Sequence, residues 1–377
     1  MATMPIDGIA VAVRDVARGP VAARAAEIDR ERRFPAENIK GLAEAGALGL
    51  MVPEALGGSG GSLSLLAGAC RELGAACAST AMVFLMHSVT AATVAAGGGD
   101  RADDVLGELA RGSIGTLAFS ERGTGAHFYA PELKVERRSG ATVITGRKSF
   151  VTSGGHADHY LVLTAGAEPG SADAYLVART SRGVSFEGEW NGLGMRGNSS
   201  VAMSLDRVVV EDADRIGEPG SALGLVFTAV APNFLVGLAA VNAGIAEGAL
   251  ADATAHVVER TYAGGGRLAE VEHVQHVLAA LELEARSARL AAEEAATLGD
   301  AGDAGALLSI MQAKVAATEA AARAGDLALE ATGGQGYTPA LAVERRIRDA
   351  RAGAVMAPTN AVLRTWIGKL LAGLPVP

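Results

Sequence analysis

The sequence predicts a mainly helical protein with a β-domain inserted between two helical regions. Three observations carry this expectation. Apolar residues recur at helical spacing up to about residue 113, switch to a period of two from about 114 to 214, and return to helical spacing from about 221. Two runs, residues 73–99 and 221–246, hold no Asp, Glu, Lys or Arg and read as helices buried on all sides. The apolar fraction is 49% with aromatics at only 4%, and Ala and Gly carry much of the chain, a composition that suits closely approaching helices better than a sandwich.

The elements follow in order. "PVAARAAEIDRERRFPAENIKGLAEAGALGL" carries apolar residues at helical spacing, with Pro35 opening a second helix at its first turn. "VPEALGGSGGS" is a Gly-rich loop before the first uncharged helix, and "GGGDRADDVLGELARGS" a loop leading into a short amphipathic helix. The runs "ELKVERRSGATVITGRKSFVTSG", "HYLVLTA", "AYLVART", "GVSFEGEW" and "VAMSLDRVVVED" are β-rich and separated by Gly, Ser and Asn turns. Beyond the second uncharged run, two long helices meet at Gly264-Gly265-Gly266, a further helix covers about 305–331, and one or two more close the chain after "TGGQGY". The domains expected are 1–113, 114–215 and 216–377.

Charge and composition exclude several classes. A formal net charge of -9 without a basic run or aromatic-basic interleaving argues against a nucleic-acid partner. Both uncharged runs are long enough to cross a bilayer, but their Ala/Gly/Ser/Thr content and, in the second, the Pro232-Asn233 break favour core helices over membrane spans. Two cysteines, Cys70 and Cys77, cannot build a disulfide framework and would share a face if their segment is helical. With no basic-then-apolar leader at the start, the expected location is cytoplasmic. The histidine pairs in "HADH" and "EHVQH" lack a third ligand at metal-site spacing, so no metal is expected.

Five strings in this order, "LAFSERGTGAH" (117–127), "TGRKSFVTSGGHADHYLV" (145–162), "LGMRGNSSVAMSLDRVVV" (193–210), "VVERTYAGG" (257–265) and "TGGQGYTPALAVERRIRDAR" (332–351), resemble the acyl-CoA dehydrogenase family of flavoproteins over essentially the whole chain. The resemblance implies an N-terminal helical domain, a central β-barrel-like domain and a C-terminal four-helix bundle. It also implies bound FAD, an acyl-CoA or acyl-carrier thioester substrate, an electron-transfer partner or O₂ as acceptor, and a homodimer or homotetramer.

Carried over residue by residue, the resemblance places Phe119 and Ser120 at the flavin pyrimidine. Phe150 becomes an aromatic wall and Thr152 a hydroxyl at the flavin N5 side. Gly333 and Gly334 match the turn whose N–H groups approach the pyrophosphate, and Arg260 matches an arginine reaching the FAD of a neighbouring subunit. Glu330 stands where a Gln is usual. Thr359 matches a threonine beside the flavin, while Ala126, His127, Met356 and Ala357 border the substrate. "SERGTGAHF" departs from the usual Thr-Glu-Pro and Ala-Gly-Ser-Asp pattern at Arg122 and at Ala126-His127.

One departure bears on the chemistry. Counting from Arg348-Asp349-Ala350, Ala357 occupies the position of the family's catalytic Glu, with Pro358 and Thr359 at the following Gly and Thr. The other base position used in the family falls near Asn233-Phe234, and the next carboxylate along is Glu247. Dehydrogenation at Cα–Cβ needs an α-proton to leave, and a positioned base contributes about 10²–10⁴-fold. His87, the sole ionisable group in the first uncharged run, is either a substitute base or a buried neutral histidine. Three functions stay open: thioester dehydrogenation with a non-standard base, a flavin monooxygenase that needs no such base, and a silent partner subunit.

Overall fold

The computed structural model describes residues 6–376. Six helices come first: α1 (Ile6–Val16), α2 (Ala22–Glu31), α3 (Ala36–Glu44), α4 (Leu63–Ala76), α5 (Ala78–Gly97) and α6 (Ala102–Ala110). Pro20 falls in a π turn between α1 and α2, and Pro35 precedes the first residue of α3. Ser62 caps α4, its Oγ accepting the Leu65 N–H at 3.3 Å. The chain breaks at Cys77, which is extended at φ -153°, so Cys70 and Cys77 do not share one helical face. Both thiols are buried and free.

Eight strands follow: β1 (Gly115–Ala118), β2 (Lys134–Arg138), β3 (Ala141–Val151), β4 (His159–Ala165), β5 (Ala172–Ala178), β6 (Val184–Glu187), β7 (Val201–Glu211) and β8 (Arg215–Ile216). They form two four-stranded sheets, ordered β1-β4-β5-β8 and β2-β3-β7-β6. All pairs are antiparallel except β1 with β4. The expected barrel-like closure is not what forms: no ladder joins the two sheets among the described residues, and they face each other as open layers.

The run "HYLVLTA" shows why one of these sheets is apolar throughout. Tyr160 and Val162 point into the core between the sheets, whereas Leu161 and Leu163 point into the core shared with the helices. A strand covered on both faces has no reason to alternate with polar residues.

The chain then returns to helix: α7 (Ala222–Leu225), α8 (Ala231–Glu259), α9 (Glu272–Asp300), α10 (Ala306–Thr332), α11 (Val343–Ala350), α12 (Ala352–Val355) and α13 (Asn360–Leu371). Three helices, not one or two, follow "TGGQGY". Helices α8, α9 and α10 pack on one another, α13 lies on α10, and α4 lies along α8. The α4–α8 crossing needs small residues. A Cβ on Gly244 would stand 2.1 Å from the Arg71 carbonyl oxygen, and one on Gly74 would stand 2.4 Å from that of Val241. Helix α5 and the span from Ala222 to Glu259 are long and apolar enough to cross a membrane, yet 78% and 61% of their apolar windows are buried inside the fold. The absence of charge in α5 and in residues 222–246 reflects burial among other helices.

The β-domain is fastened to both helical regions through the segment before β7. Arg348 donates to Asp29 at 2.6 and 2.9 Å and to the Leu193 carbonyl at 3.3 Å. The Met195 N–H donates to Asp349 at 2.6 Å, and the Gly197 N–H to Ser79 Oγ at 3.0 Å. Gly194 lies against the Arg348 carbonyl so closely that a Cβ there would stand 2.3 Å from its oxygen. These contacts set the wall of the cavity described next.

Candidate active site

Where the three regions meet, a cavity of about 860 Å³ opens. Its apolar end is built by Met82 and Met86 of α5, Leu117 of β1, Phe128, and Val230 and Phe234 at the start of α8. Met82 and Met86 are one helical turn apart and so project together. The β-domain supplies Phe119, Ser120, Phe150 and Thr152, and the chain between α12 and α13 supplies Met356 to Thr359.

Phe150 is the most telling side chain here. It is 71% exposed although it lies in an eleven-residue strand. The β3–β7 register slips between Lys148 and Val151, and Phe150 takes φ 53° within that irregularity. A phenylalanine in the left-handed region is uncommon, and the surrounding ladder holds it there. Its ring meets Trp190 edge-on at 6.4 Å, and Trp190 is fixed by donating to the Met195 carbonyl at 3.0 Å. An apolar rim open to a cavity is a surface on which a flat ring can lie.

The strand end beside it is held from beneath by a buried amine. Lys148 Nζ donates to the Phe119 carbonyl at 3.2 Å, the Leu163 carbonyl at 2.6 Å and Glu121 Oε1 at 2.6 Å. Burial pulls the amine down to about 8, and the Glu121 carboxylate opposes that shift. The Ser120 carbonyl accepts from the Ser149 N–H at 2.8 Å, so residues 119–121 are pinned at several points. Thr152, Ser200 and Asn198, all buried and all on the cavity wall, form a chain of side-chain hydrogen bonds of 3.0 Å each.

The segment Met356 to Asn360 is secured in the same way. Lys314, fully buried in α10, donates to the Met356 carbonyl at 3.3 Å, the Pro358 carbonyl at 3.1 Å and Asn360 Oδ1 at 2.9 Å. Burial lowers its pKa to about 7, against the pull of Glu319. Thr359 caps α13, its Oγ1 accepting the Val362 N–H at 3.3 Å.

No carboxylate stands at either family base position. Ala357 lines the cavity, as does Phe234, while Asn233 turns its amide back to its own helix at the Ala229 carbonyl, 2.8 Å away. Glu247 is committed to Arg71 and Arg289 and lies off the cavity wall. The carboxylates that do line the cavity are Glu121, Glu187 and Glu189. Glu121 pairs with Lys148 and Glu187 with Arg147.

His87 is not a substitute base in this arrangement. Its Nε2 donates to the Leu48 carbonyl at 2.8 Å, and its Nδ1 accepts the Gly115 N–H at 3.2 Å. Burial pushes the ring down to about 4, so it is neutral and both nitrogens are occupied. It is a structural histidine joining α5 to β1, absent from the cavity lining.

The other expected site residues divide. Phe119, Ser120, Phe150, Thr152, Ala126, Met356, Ala357 and Thr359 line the one cavity. His127 is exposed and meets Tyr129 edge-on at 5.8 Å, off the lining. Arg260, at the end of α8, and Gly333 and Gly334, after α10, lie on the outside and do not line it. Glu330 accepts from His273 at 3.0 Å. Asn198, Ser200, Glu189 and Trp190 were not singled out from sequence. The local signal was weak, a polar Gly/Ser/Asn turn and a lone Trp after a short strand.

Comparison with known proteins identifies the family to which this fold belongs. Models of the acyl-CoA dehydrogenase N-terminal, middle and C-terminal domains match residues 7–113, 116–208 and 235–372. The chain belongs to the acyl-CoA dehydrogenase family, flavin oxidoreductases that act on the CH–CH group of acyl-CoA thioesters. It is 31% identical over 365 residues to the cyclohex-1-ene-1-carbonyl-CoA dehydrogenase of Geobacter metallireducens, covering 95% of this chain and 96% of that one. It is 29% identical over 367 residues to the short-chain specific acyl-CoA dehydrogenase of Clostridium acetobutylicum, with 95% and 96% covered. The butyryl-CoA dehydrogenase structure from Megasphaera elsdenii superposes with a TM-score of 0.91 at 23% identity, covering 99% of both chains, and shares the fold.

Proposed function

We propose that the protein is an FAD-dependent oxidoreductase that dehydrogenates an acyl thioester between Cα and Cβ, with a proton acceptor outside the two usual positions. The supporting observation is the juxtaposition in one cavity of the exposed Phe150 ring, the buried Thr152 hydroxyl and the segment Met356 to Thr359. The residues present suit a flavin: Phe150 and Trp190 offer an aromatic rim, Ser120 and Thr152 offer polar atoms, and the wall is immobilised by Lys148. Bound FAD would supply hydride acceptance from the thioester β-carbon. Phe119, Ser120, Phe150, Thr152 and Thr359 would hold the ring, while Arg260, Gly333 and Gly334, being outside the cavity, would serve a neighbouring copy in a homodimer or homotetramer.

Within this reading the chain's own residues have distinct tasks. Met82, Met86, Leu117 and Phe234 receive the acyl chain and exclude water. Lys314 holds Ala357 at the place where the α-carbon is read to lie. Ala126 and Met356 flank the thioester, and His127 is left for its exposed carrier end. The acceptor of the electrons is an electron-transfer partner or O₂. The lack of a carboxylate at Ala357 and at Asn233-Phe234 favours one second reading, oxygen chemistry on the same fold, which needs no α-proton base.

Anaerobic titration of the yellow protein with a panel of acyl-CoAs tests the first reading by flavin bleaching. The same protein, reduced by dithionite and mixed with oxygenated buffer, is expected to reoxidise slowly without a resolved oxygen adduct. No bleaching with any acyl-CoA, together with a long-lived oxygen adduct and an oxygenated product, would replace the first reading with the second.

A further inference from the structure

The three side chains Thr152, Ser200 and Asn198 have a directional hydrogen-bond pattern. An amide oxygen only accepts, and a hydroxyl has one proton to give. Ser200 Oγ donates to Asn198 Oδ1 at 3.0 Å, so that proton is spent. The 3.0 Å contact between Thr152 and Ser200 must then be made with the Thr152 proton, since Ser200 has no other to offer. Thr152 is left facing the cavity with lone pairs and no proton.

The arrangement is rigid on both sides. The Thr152 carbonyl accepts from Thr116 Oγ1 at 2.8 Å, and the Asn198 carbonyl accepts from the Ser153 N–H at 2.9 Å. All three relay residues are at least nine-tenths buried, with 5% of Thr152, 8% of Ser200 and 1% of Asn198 exposed.

We propose that Asn198 and Ser200 are positioning residues that make the Thr152 hydroxyl an acceptor toward the cofactor. This rests on reading the cavity as an FAD site. The oxidised ring can only accept at N5, whereas the reduced ring carries a hydrogen there and donates. A hydroxyl fixed as acceptor therefore favours the reduced cofactor and raises its midpoint potential. Releasing the Thr152 proton reverses the preference.

The test is the midpoint potential of FAD bound to the purified protein, compared with Ser200→Ala, Asn198→Leu and Thr152→Val. Ser200→Ala and Asn198→Leu are expected to move the potential negative, so that the ratio of reduced to oxidised cofactor in a fixed redox buffer falls by about three- to tenfold, the scale of one net hydrogen bond. If the two residues act through Thr152, adding Ser200→Ala to Thr152→Val produces no further shift. Ser200→Ala at the wild-type potential, or the same shift in the Thr152→Val background, overturns the relay while leaving the FAD site intact. A wild-type protein that cannot be loaded with FAD overturns both.

Discussion

The Lys314 ammonium lies 3.1 Å from the Pro358 carbonyl oxygen and 2.9 Å from Asn360 Oδ1, directly beneath the segment that contributes Ala357 to the cavity. The three protons of the charged amine meet three acceptors, the third being the Met356 carbonyl. Lys314→Met strips those acceptors of their donor inside the fold. It is expected to lower unfolding stability by about 1–3 kcal/mol, measured by denaturant titration, and to weaken acyl-CoA binding more than FAD binding.

The same amine makes stability depend on pH. Burial lowers its pKa from the ordinary 10.5 to about 7, so between those values the unfolded chain binds the extra proton. Stability contributed by this group therefore rises as pH increases through that window. Thermal melts of wild type and Lys314→Met from pH 7 to 10 check this. The variant should lose the rise.

Asp349 carries the opposite sign. Burial raises its pKa from 3.8 to about 6, opposed by the hydrogen bond from the Met195 N–H. Between those values the folded chain holds the extra proton, and its stability contribution falls as pH rises. Asp349→Asn retains an oxygen to accept from Met195 and cannot ionise. Relative to wild type, the variant should fare better at pH 7 than at pH 4 in thermal melts.

Ala357→Glu places a carboxylate on the cavity wall at the family base position. Turnover of a simple acyl-CoA with an artificial electron acceptor is expected to rise, by up to about 10²–10⁴-fold if a base is what the reaction lacks. No gain with FAD still bound would argue that the thioester does not lie against this segment.

Arg260→Glu tests whether the exposed end of α8 meets a neighbour's cofactor. Opposing a pyrophosphate with a carboxylate should lower both FAD content and oligomer mass, read by absorbance and light scattering. Unchanged values for both would place the phosphate contact elsewhere.

The helix–β–helix order was legible because periodicity reports burial directly: α5, the first half of α8 and β4 carry no Asp, Glu, Lys or Arg where neighbouring elements bury them. Phe150 and Thr152 were legible only through the five motif strings, since a strand residue at φ 53° leaves no local mark. The fastenings were not legible. Lys148 and Lys314 look like surface lysines until distant carbonyls surround them, and Asp349 reads as one more charge in a crowded turn. His87 shows the same limit from the other side. A lone ionisable group in an apolar run looks reactive until both nitrogens are seen to be taken, by Leu48 and Gly115. Openness of the β-domain is illegible for a related reason, because strand runs announce themselves while the ladders between them do not.

Helix α8 has a cost that is paid before the protein is finished. Its partners α4 and α5 are made earlier, but α9 and α10, which cover its remaining flanks, follow it in the chain. At a translation rate of about 5–20 residues per second, a long apolar rod waits several seconds for its cover. During that interval its natural companions are chaperones or the same segment of another nascent chain. The helix that organises the finished fold is thus also the stretch on which yield during synthesis depends.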